Sequence, residues 1–547
     1  MRNLLVVFIA LLPWAAASLS QPARVGVSIT QTKLTLQQAV DLALKNNLEI
    51  EIERTNVANA AQALRAALGA FDPAFRIQPG IQSANTPTAS VLQGAGGKLA
   101  EHSLASNLAF NQRLPWYGSV VGVNWDNSRY STSNSFASLN PTRSARLTVN
   151  LNIPLLRNHV IDPQRGEIRI RRTQQVISDK DFELRVIDVI SRVEQAYWNL
   201  VAARQDAIVQ AEGVNLAKEQ LDRNQRMIAA GTLAPVELSA SQAEYQRRLD
   251  SWYASVAVVT QSENALKTLI APSREDSIWS DEIVPLDIKT REPAELGELK
   301  ELVSRALDQR PELQQLALRR DVNDIQRRVA ADQVKPQVNL VASYWNSGLG
   351  GDLSTAPNPF TASSAAQYQR LNHLSVLAGL GPIAIPDFGS IPSFLVGGYG
   401  TALDNLFAGR YQSVQVGVAF DLNIRNRAAQ ASLAQTAIAD KRLKLEQSRL
   451  GLAMEAQVRN ALQSLQSTRQ RIVASAASER AAQEKLESEI RLFQTGESTN
   501  FLVLTRQNEL LDSRRRSVLA TLDYNRALSG LDLAVGGTLR SYSITLK

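Results

Sequence analysis

The chain has 547 residues, of which 44% are hydrophobic and none is cysteine. The lack of cysteine excludes disulfide bonds, thiolate metal sites, cysteine nucleophiles and lipid attachment through an N-terminal cysteine. Lysine and arginine total 59 against 52 acidic residues, and the net charge of +7 is spread along the chain. No nucleic-acid partner is therefore expected, because a phosphate-binding surface needs clustered charge.

The first residues have the pattern of a secretory signal peptide over residues 1–20. Arg2 is followed by an apolar run from Leu4 to Leu12 and then by three alanines, which match the n-region, h-region and cleavage site of such a leader. The alternative is an N-terminal membrane anchor. The run is shorter than the ~20 apolar residues that a spanning helix needs, so a cleaved leader is favoured.

Two halves of the chain follow the same plan. A shift of 263 residues pairs Leu36 with Leu299, and a shift of 265 residues pairs Gly231 with Gly496. Such regular spacing over distant segments indicates a duplicated structural unit. We predict a first repeat over 34–272, a connecting segment over 273–297, a second repeat over 298–535 and a C-terminal tail over 536–547.

Helical periodicity dominates both repeats. Apolar residues recur at three- and four-residue spacing from Leu36 to about Leu68, from about Ile168 to Ile228 and from Val236 to Leu269, which predicts amphipathic helices. The second repeat has its long helix from about Ala428 to Gln494. A helix of that length spans roughly 90–100 Å at 1.5 Å per residue, which no compact globule requires.

Between the helices the apolar period changes to two. Apolar side chains alternate with polar or small ones from Ala145 to Leu155 and from Val414 to Ile424, and shorter runs begin at Phe75 and Val338. These patterns predict two-faced strands. Several aromatic residues lie near the strand ends, as at a membrane–water boundary: Trp116, Tyr117, Trp125, Tyr130, Tyr344 and Trp345.

Alternation alone also fits a soluble β-sandwich with one buried face. A secreted chain whose alternating strands have the ~10-residue length of a tilted bilayer crossing, without a spanning helix, favours a membrane β-barrel. Four strands cannot close around a pore, so several chains are expected to contribute strands to one barrel.

Two segments have no clear place in this plan. Leu104–Leu114 and Ser119–Asn127 predict an additional hairpin that turns at Pro115–Gly118, and it either joins the barrel or stands above it. The segment from Ser347 to Gly409 is rich in glycine, proline and serine, and we interpret it as a long extracellular loop.

The ordered set of segments resembles the TolC-type outer-membrane efflux proteins over nearly the whole mature chain. The matching pieces are LTLQQAVDLALKNNLEI at Leu34–Ile50, IPLLRN at Ile153–Asn158, and the helix breaks within Met227–Tyr245 and Leu492–Leu510. The resemblance implies a mainly α fold with β structure, in which a homotrimer forms a 12-stranded outer-membrane β-barrel that continues into a periplasmic α-barrel.

The same resemblance implies an outer-membrane location with a long periplasmic extension, and passive conduction in efflux or type I secretion. The implied partners are a periplasmic adaptor (membrane fusion) protein, an inner-membrane transporter of the RND, ABC or MFS type, and outer-membrane lipid. The transported substrate, the pump and the adaptor are not set by the sequence. The alternative class is a periplasmic or cell-surface coiled-coil scaffold or adhesin without a channel.

By resemblance, the two helix breaks form the periplasmic end, where the adaptor docks. The expected docking residues are Gly231, Thr232, Leu233, Ala234, Gly496, Glu497, Ser498 and Thr499. We expect the two glycines to end their helices in the left-handed conformation, and Thr232 and Ser498 or Thr499 to cap the returning helices. The alternative is that the glycines only make turns.

An acidic pore entrance is a further hypothesis. Family members often carry aspartates beyond the second break, but Leu502 and Thr505 occupy those places here. Glu237 or Glu497 is instead expected to form a carboxylate ring that attracts cations. The alternative is a solvated glutamate that the helix dipole favours at a helix start.

Catalytic chemistry is not expected. The three histidines, His102, His159 and His373, fall in no metal-ligand spacing. The sequence therefore predicts neither an enzyme nor a site for a cofactor or a metal.

Overall fold

The structure, a computed structural model, describes residues 24–28, 30–89, 97–232, 234–287, 297–355, 359–384 and 390–545. The predicted signal peptide, Leu233 and part of the connecting segment lie outside the described residues. The chain divides into two compact units, of which the first comprises residues 1–58, 177–317 and 444–547 and the second 59–176 and 318–443. Within these described ranges, no helix is both long enough and apolar enough to cross a membrane.

In each half of the chain, helices are followed by strands of the larger sheet and then by two long helices, as predicted, and short additional elements lie between them. The helices are α1 (Leu36–Asn46), α2 (Leu48–Leu68), α3 (Pro163–Ala229), α4 (Val236–Ile270), α5 (Leu299–Gln309), α6 (Pro311–Val334), α7 (Pro359–Leu377), α8 (Tyr399–Phe407), α9 (Arg427–Thr495), α10 (Asn500–Val535) and α11 (Thr538–Ser541). The strands are β1 (Gln31–Leu34), β2 (Ala74–Pro87), β3 (Lys98–Arg113), β4 (Val120–Thr132), β5 (Leu139–Pro154), β6 (Glu282–Pro285), β7 (Gln337–Leu353) and β8 (Gln412–Asp421).

The first helical segment is interrupted, so the prediction of one helix from Leu36 to Leu68 is wrong. Asn47 has extended backbone angles between α1 and α2, and its side-chain oxygen accepts the Glu49 N–H at 2.9 Å. The second repeat breaks at the corresponding place, where Arg310 precedes Pro311. Asparagine and proline favour helix starts, which a count of apolar spacing does not detect.

The core of the first unit packs α1, α3 and α4 around a parallel pair of short strands, β1 and β6. The predicted apolar stripe of α3 is buried, with Ile190, Val193 and Tyr197 fully inaccessible. The hydroxyl of Tyr197 lies 3.1 Å from the Leu34 carbonyl and 3.0 Å from the Asp287 carboxylate. Burial raises the pKa of Tyr197 far above its ordinary value, so the residue remains a hydrogen-bond donor.

A buried ionic cluster ties the start of the described chain to this core. Glu263 and Lys267 pair at 2.7 Å, and both side chains are at most 1% exposed. Arg24 bridges Glu263 and Glu282 at 2.6 and 2.7 Å, and Arg204 reaches Glu282 at 2.8 Å. Burial raises the pKa of Glu282, but its hydrogen bond and ion pairs with arginine outweigh burial, and the net pKa lies below its ordinary value.

The second unit contains a six-stranded antiparallel sheet in the order β2-β3-β4-β5-β7-β8. The additional hairpin, left open from sequence, is β3 and β4, and it lies in the sheet between β2 and β5. The expected four strands per chain, and hence twelve in three copies, are therefore not what the described sheet shows.

The segment from Ser347 to Gly409 is only partly a loop, so its interpretation as one long loop is wrong. Strand β7 continues to Leu353, and the segment also contains α7 and α8. Helix α8 packs closely on β7, and the absence of a side chain at Gly348 permits this approach. A Cβ at Gly348 would lie 1.8 Å from the Ala402 carbonyl oxygen. Asn405 fastens the helix by donating to the carbonyls of Leu349 and Phe394 at 2.9 and 2.7 Å.

Candidate functional site: a two-faced sheet and two helix turns

The register of the sheet separates apolar from polar side chains across all six strands. Directly paired residues of neighbouring strands point to the same face. One row of paired residues is apolar in every strand and consists of Phe75, Phe110, Val123, Val149, Tyr344 and Val414. The adjacent row on the opposite face is small or polar in every strand and consists of Ala74, Asn111, Gly122, Asn150, Ser343 and Gln415.

The apolar face is exposed to an unusual extent. Phe75, Ile77 and Ile81 on β2 are 78%, 70% and 85% exposed, and Val414 and Phe420 on β8 are 70% and 67% exposed. A large exposed apolar surface marks an interaction site or a membrane contact. The predicted two-faced strands are thus confirmed, and an apolar band crosses all six strands on one face.

The apolar band crosses the strands obliquely. The row that joins Phe75 to Val414 serves as the reference. The apolar residues of β2 extend six positions from this row to Ile81, toward the β2–β3 turn. Those of β8 extend six positions in the opposite direction, to Phe420, toward the start of the long helix. The band centres are therefore displaced by about 20 Å along the strands, over about 24 Å across the five strand spacings. The resulting angle of about 40° matches the strand tilt of closed β-barrels.

Both outer edges of the sheet lack a partner strand in the part of the chain that the structure describes. Strand β2 pairs only with β3, and β8 pairs only with β7. Each edge presents a row of backbone donors and acceptors, which natural sheets cover, shorten or pair. At 14 and 10 residues, these edges are long enough to pair with another strand.

The two helix turns of the first unit have the same backbone geometry. Gly231 and Gly496 have φ of +73° and +81°, which confirms the predicted left-handed glycines. At the first turn, Gly231 N–H donates to Ile228 and Thr232 N–H to Met227, each at 2.9 Å; at the second, Gly496 N–H donates to Phe493 and Glu497 N–H to Leu492. Both are Schellman motifs, which satisfy the final carbonyls of a helix.

Helix capping differs between the two turns. Thr499 is the N-cap of α10 and accepts the Leu502 N–H at 3.4 Å, which confirms one of the two residues proposed there; Ser498 donates to Glu489 instead. The prediction for Thr232 is wrong, because α4 has Pro235 at its N-cap without a side-chain bond. The Thr232 hydroxyl donates to the Met227 carbonyl at 2.9 Å and so completes the end of α3.

A buried polar network behind the turns joins α3, α4 and α10. The Asn500 side-chain oxygen accepts from Gln220 at 2.9 Å and from Asn224 at 3.1 Å, and its nitrogen donates to Glu237 at 3.0 Å. Asn224 also donates to the Ser241 hydroxyl at 2.6 Å. Gln220, Asn224, Ser241 and Asn500 are all at most 3% exposed, so the network fixes both turns relative to each other.

The two glutamates of the proposed acidic entrance have different surroundings. Glu237 is half-buried and bound to Asn500, whereas Glu497 is exposed at the tip of the second turn. Leu502 and Thr505 lie on α10 just beyond that turn. Nearby, Arg506 donates to Glu509 at 2.8 Å and lies 3.5 Å from Glu489, and these carboxylates raise the pKa of Arg506, which stays charged.

Replacing Asn224 with leucine should destabilise the turn region by about 1–3 kcal/mol, because the buried Asn500 and Ser241 would lose a donor. Hydrogen exchange followed by mass spectrometry should then report faster exchange in both turns. The exposed Gln494 provides a control, since its replacement with leucine removes no buried hydrogen bond. Equal exchange in the two variants would contradict a structural role for the network.

Replacing Gly231 or Gly496 with alanine should cost roughly 1–2 kcal/mol, the price of a left-handed residue with a Cβ. No atom lies within 4 Å of an added Cβ at either position, so the cost comes from the backbone alone. Asparagine tolerates this conformation and should restore much of the urea midpoint. Gly530→Ala inside α10 is the control; an added Cβ has no clash there either, and the substitution should be stabilising. If alanine and asparagine behaved alike at Gly231 and Gly496, the left-handed conformation of these glycines would be refuted.

A two-faced antiparallel sheet in a chain that also has helices of 67 and 69 residues is typical of TolC-type outer-membrane channel folds. The sequence model of the outer membrane efflux protein family matches residues 108–271 and 302–537, and the chain belongs to this family. No curated protein sequence matches the chain.

Solved structures of the same fold have low sequence identity. The chain is similar to the Campylobacter jejuni CmeC outer membrane channel, with 17% identity, a TM-score of 0.60 and coverage of 92% of this chain and 86% of that one. It is similar to Vibrio cholerae VceC, with 13% identity, a TM-score of 0.58 and coverage of 92% and 96%. It is also similar to the open state of the Neisseria gonorrhoeae MtrE channel, with 15% identity, a TM-score of 0.57 and coverage of 92% of this chain and 89% of that one.

Among the described residues, no group of histidine and acidic side chains could hold a metal ion. The Nδ1–H of His159 donates to the Pro154 carbonyl oxygen at 2.8 Å, and its ring stacks on Tyr117 at the junction of β5 and α3. The polar network was not predicted from the sequence, although Gln220 and Asn224 continue the helical spacing of buried Gly213 and Ala217.

Proposed function

We propose that this protein is the outer-membrane channel of a tripartite efflux or type I secretion system. The observation that carries the proposal is the exposed apolar band that crosses all six strands of the sheet, opposite a row of small and polar side chains. A sheet with such faces suits a cylinder with lipid outside and water inside. Conduction through it is passive, so an energised inner-membrane transporter of the RND, ABC or MFS type supplies the driving force.

The channel is proposed to be a homotrimer whose copies share one barrel. The unpaired edges of β2 and β8 support this, because pairing β2 of one copy with β8 of the next satisfies both edges and abolishes them on closure. Helix α8 lies over Gly348 on the face that carries Tyr344, which is the apolar face. It therefore contacts the proposed outside of the cylinder and leaves the polar lining of β7 uncovered.

The two turns are proposed as the docking surface for a periplasmic adaptor. The shared Schellman geometry and the polar network present Gly231, Thr232, Ala234, Gly496 and Glu497 on a rigid support, with Leu233 outside the described residues. Crosslinking of a photoreactive residue at Thr232 to the candidate adaptor, with the exposed Tyr253 in mid-helix as the control site, tests this. Equal crosslinking at both sites would contradict specific docking.

Glu497 is the better candidate for an acidic entrance, because Glu237 is already bound to Asn500. Single-channel recording should show a weaker preference for cations after Glu497→Gln. Unchanged cation preference in both Glu497→Gln and Glu237→Gln would end the hypothesis.

Planar-bilayer recording of the purified full chain tests the channel function itself. We expect stepwise ionic conductance, and an oligomer in membrane extracts that changes its electrophoretic migration on heating. A scaffold or adhesin without a channel would give neither result. A protein that stays soluble and monomeric without detergent would overturn the proposal.

A further inference from the structure

We infer that each chain contributes six strands to the pore wall, and that the β3–β4 hairpin thereby widens the pore for bulky hydrophilic solutes. This inference rests on the proposed channel function and concerns the width of the same passage. It is carried by the position of the hairpin within the sheet.

The hairpin is an integral part of the sheet. Strand β3 pairs with β2 along the whole length from Ala74 to Pro87, and β4 pairs with β5 from Val120 to Tyr130. Because β2 and β5 are connected in the sheet only through the hairpin, a wall that contains both of them also contains β3 and β4. The hairpin cannot then stand above the barrel.

The faces of the hairpin agree with those of its neighbours. On β4, Val123 continues the apolar row between Phe110 and Val149, and Asn124 pairs with Thr148 on the opposite face. A hairpin that served another purpose would have no reason to keep this alternation in register with four other strands.

The inner turn of the hairpin is held at the strand–helix junction. Gly118 has φ of +65°, and a Cβ there would lie 2.6 Å from the Asn158 carbonyl oxygen. The Tyr117 ring stacks on His159 with centroids 4.7 Å apart. The turn therefore reaches the same depth as the end of β5, and the hairpin spans the full height of the apolar band.

The width of the barrel follows from the number of strands. Three chains of six strands would close an 18-stranded barrel, and barrel diameter grows roughly linearly with strand number. Such a barrel is about half again as wide as a 12-stranded one, with roughly twice the cross-section, and barrels of 16–18 strands leave an open aqueous channel. The additional polar lining includes Asn107, Asn111 and Asn124, which suits hydrophilic solutes without selecting one sign of charge.

Cysteine accessibility tests whether the hairpin lines the pore, and the cysteine-free chain needs no background substitutions. A water-soluble methanethiosulfonate reagent should lower the single-channel conductance of Asn124→Cys and leave Val123→Cys unchanged. Gln415→Cys, on the polar row of β8, is the control outside the hairpin. Reaction at Gln415 without reaction at Asn124 would overturn the inference alone, whereas no reaction at either site would contradict the proposed channel as well.

A deletion measures the width directly. Joining Pro87 to Leu139 through an Asn-Gly turn removes the hairpin. The turn would pair Pro87 with Leu139 and hence Phe75 with Leu151, which lies on the same apolar face as Val149, so both faces of the sheet are kept. The single-channel conductance should fall about twofold, in proportion to the cross-section of the barrel. The largest polyethylene glycol that still enters the pore should also be smaller than in the full-length protein. Unchanged conductance and exclusion would refute the inference; if the variant does not assemble, the cysteine result decides.

Discussion

Substituting Glu263 with alanine should lower the free energy of unfolding by about 3–5 kcal/mol, because Lys267 would become an uncompensated buried charge. The Lys267 ammonium is inaccessible to solvent and pairs with Glu263 at 2.7 Å. Its other contacts are the carbonyl oxygens of Trp279 and Asp281 at 3.1 and 2.6 Å, which carry no full charge. Arg24 would lose one of its two carboxylate partners in the same variant.

Urea denaturation of the purified protein in detergent measures this effect. Glu51, which pairs with Arg54 on an exposed helix surface, is the matched control, and its replacement with alanine should cost no more than about 1 kcal/mol. Replacing Glu263 with leucine and Lys267 with methionine together should recover much of the loss, since no buried charge is left unpaired. Equal costs for Glu263→Ala and Glu51→Ala would show that the buried pair does not stabilise the core.

Much of the helical architecture was predictable because apolar spacing reports burial directly. The predicted boundaries near Ile228, Val236 and Gln494 lie within one residue of the observed helix ends. The left-handed glycines were also predictable, since few other residues end a helix in this way. The repeat relation adds support, because Asn47 and Arg310 interrupt their helices at equivalent positions.

The parts that were missed depend on polar groups and on pairing between distant strands. Gln220 and Asn224 look like surface residues, because their burial depends on Asn500, some 280 residues away along the chain. The place of the β3–β4 hairpin depends on its pairing with β2 and β5, and alternation shows which side chains share a face but not which strands are neighbours. The docking role of the turns stays a prediction, since their geometry fits both a simple turn and a docking surface.

Placing an arginine at Val416 should abolish assembly of the channel, whereas an arginine at the neighbouring Gln415 should be tolerated. Val416 pairs with Ala342 on the apolar face and is 66% exposed, and Gln415 pairs with Ser343 on the polar face. An arginine facing the middle of the bilayer costs about 2–4 kcal/mol, whereas residues facing the lumen tune selectivity. Over three copies the cost totals about 6–12 kcal/mol, which is comparable to the whole net stability of about 5–15 kcal/mol of a typical folded protein.

The two variants share one strand, one substitution and nearly the same height in the sheet, so they differ only in the face that receives the charge. The fraction of protein recovered from membranes as a heat-modifiable oligomer should fall steeply for Val416→Arg and little for Gln415→Arg. A soluble sandwich would also reject Val416→Arg, but its parent protein would dissolve without detergent. Similar recovery of both variants would mean that neither face contacts lipid, and the orientation of the whole sheet, including the proposed lining by Asn124, would have to be abandoned.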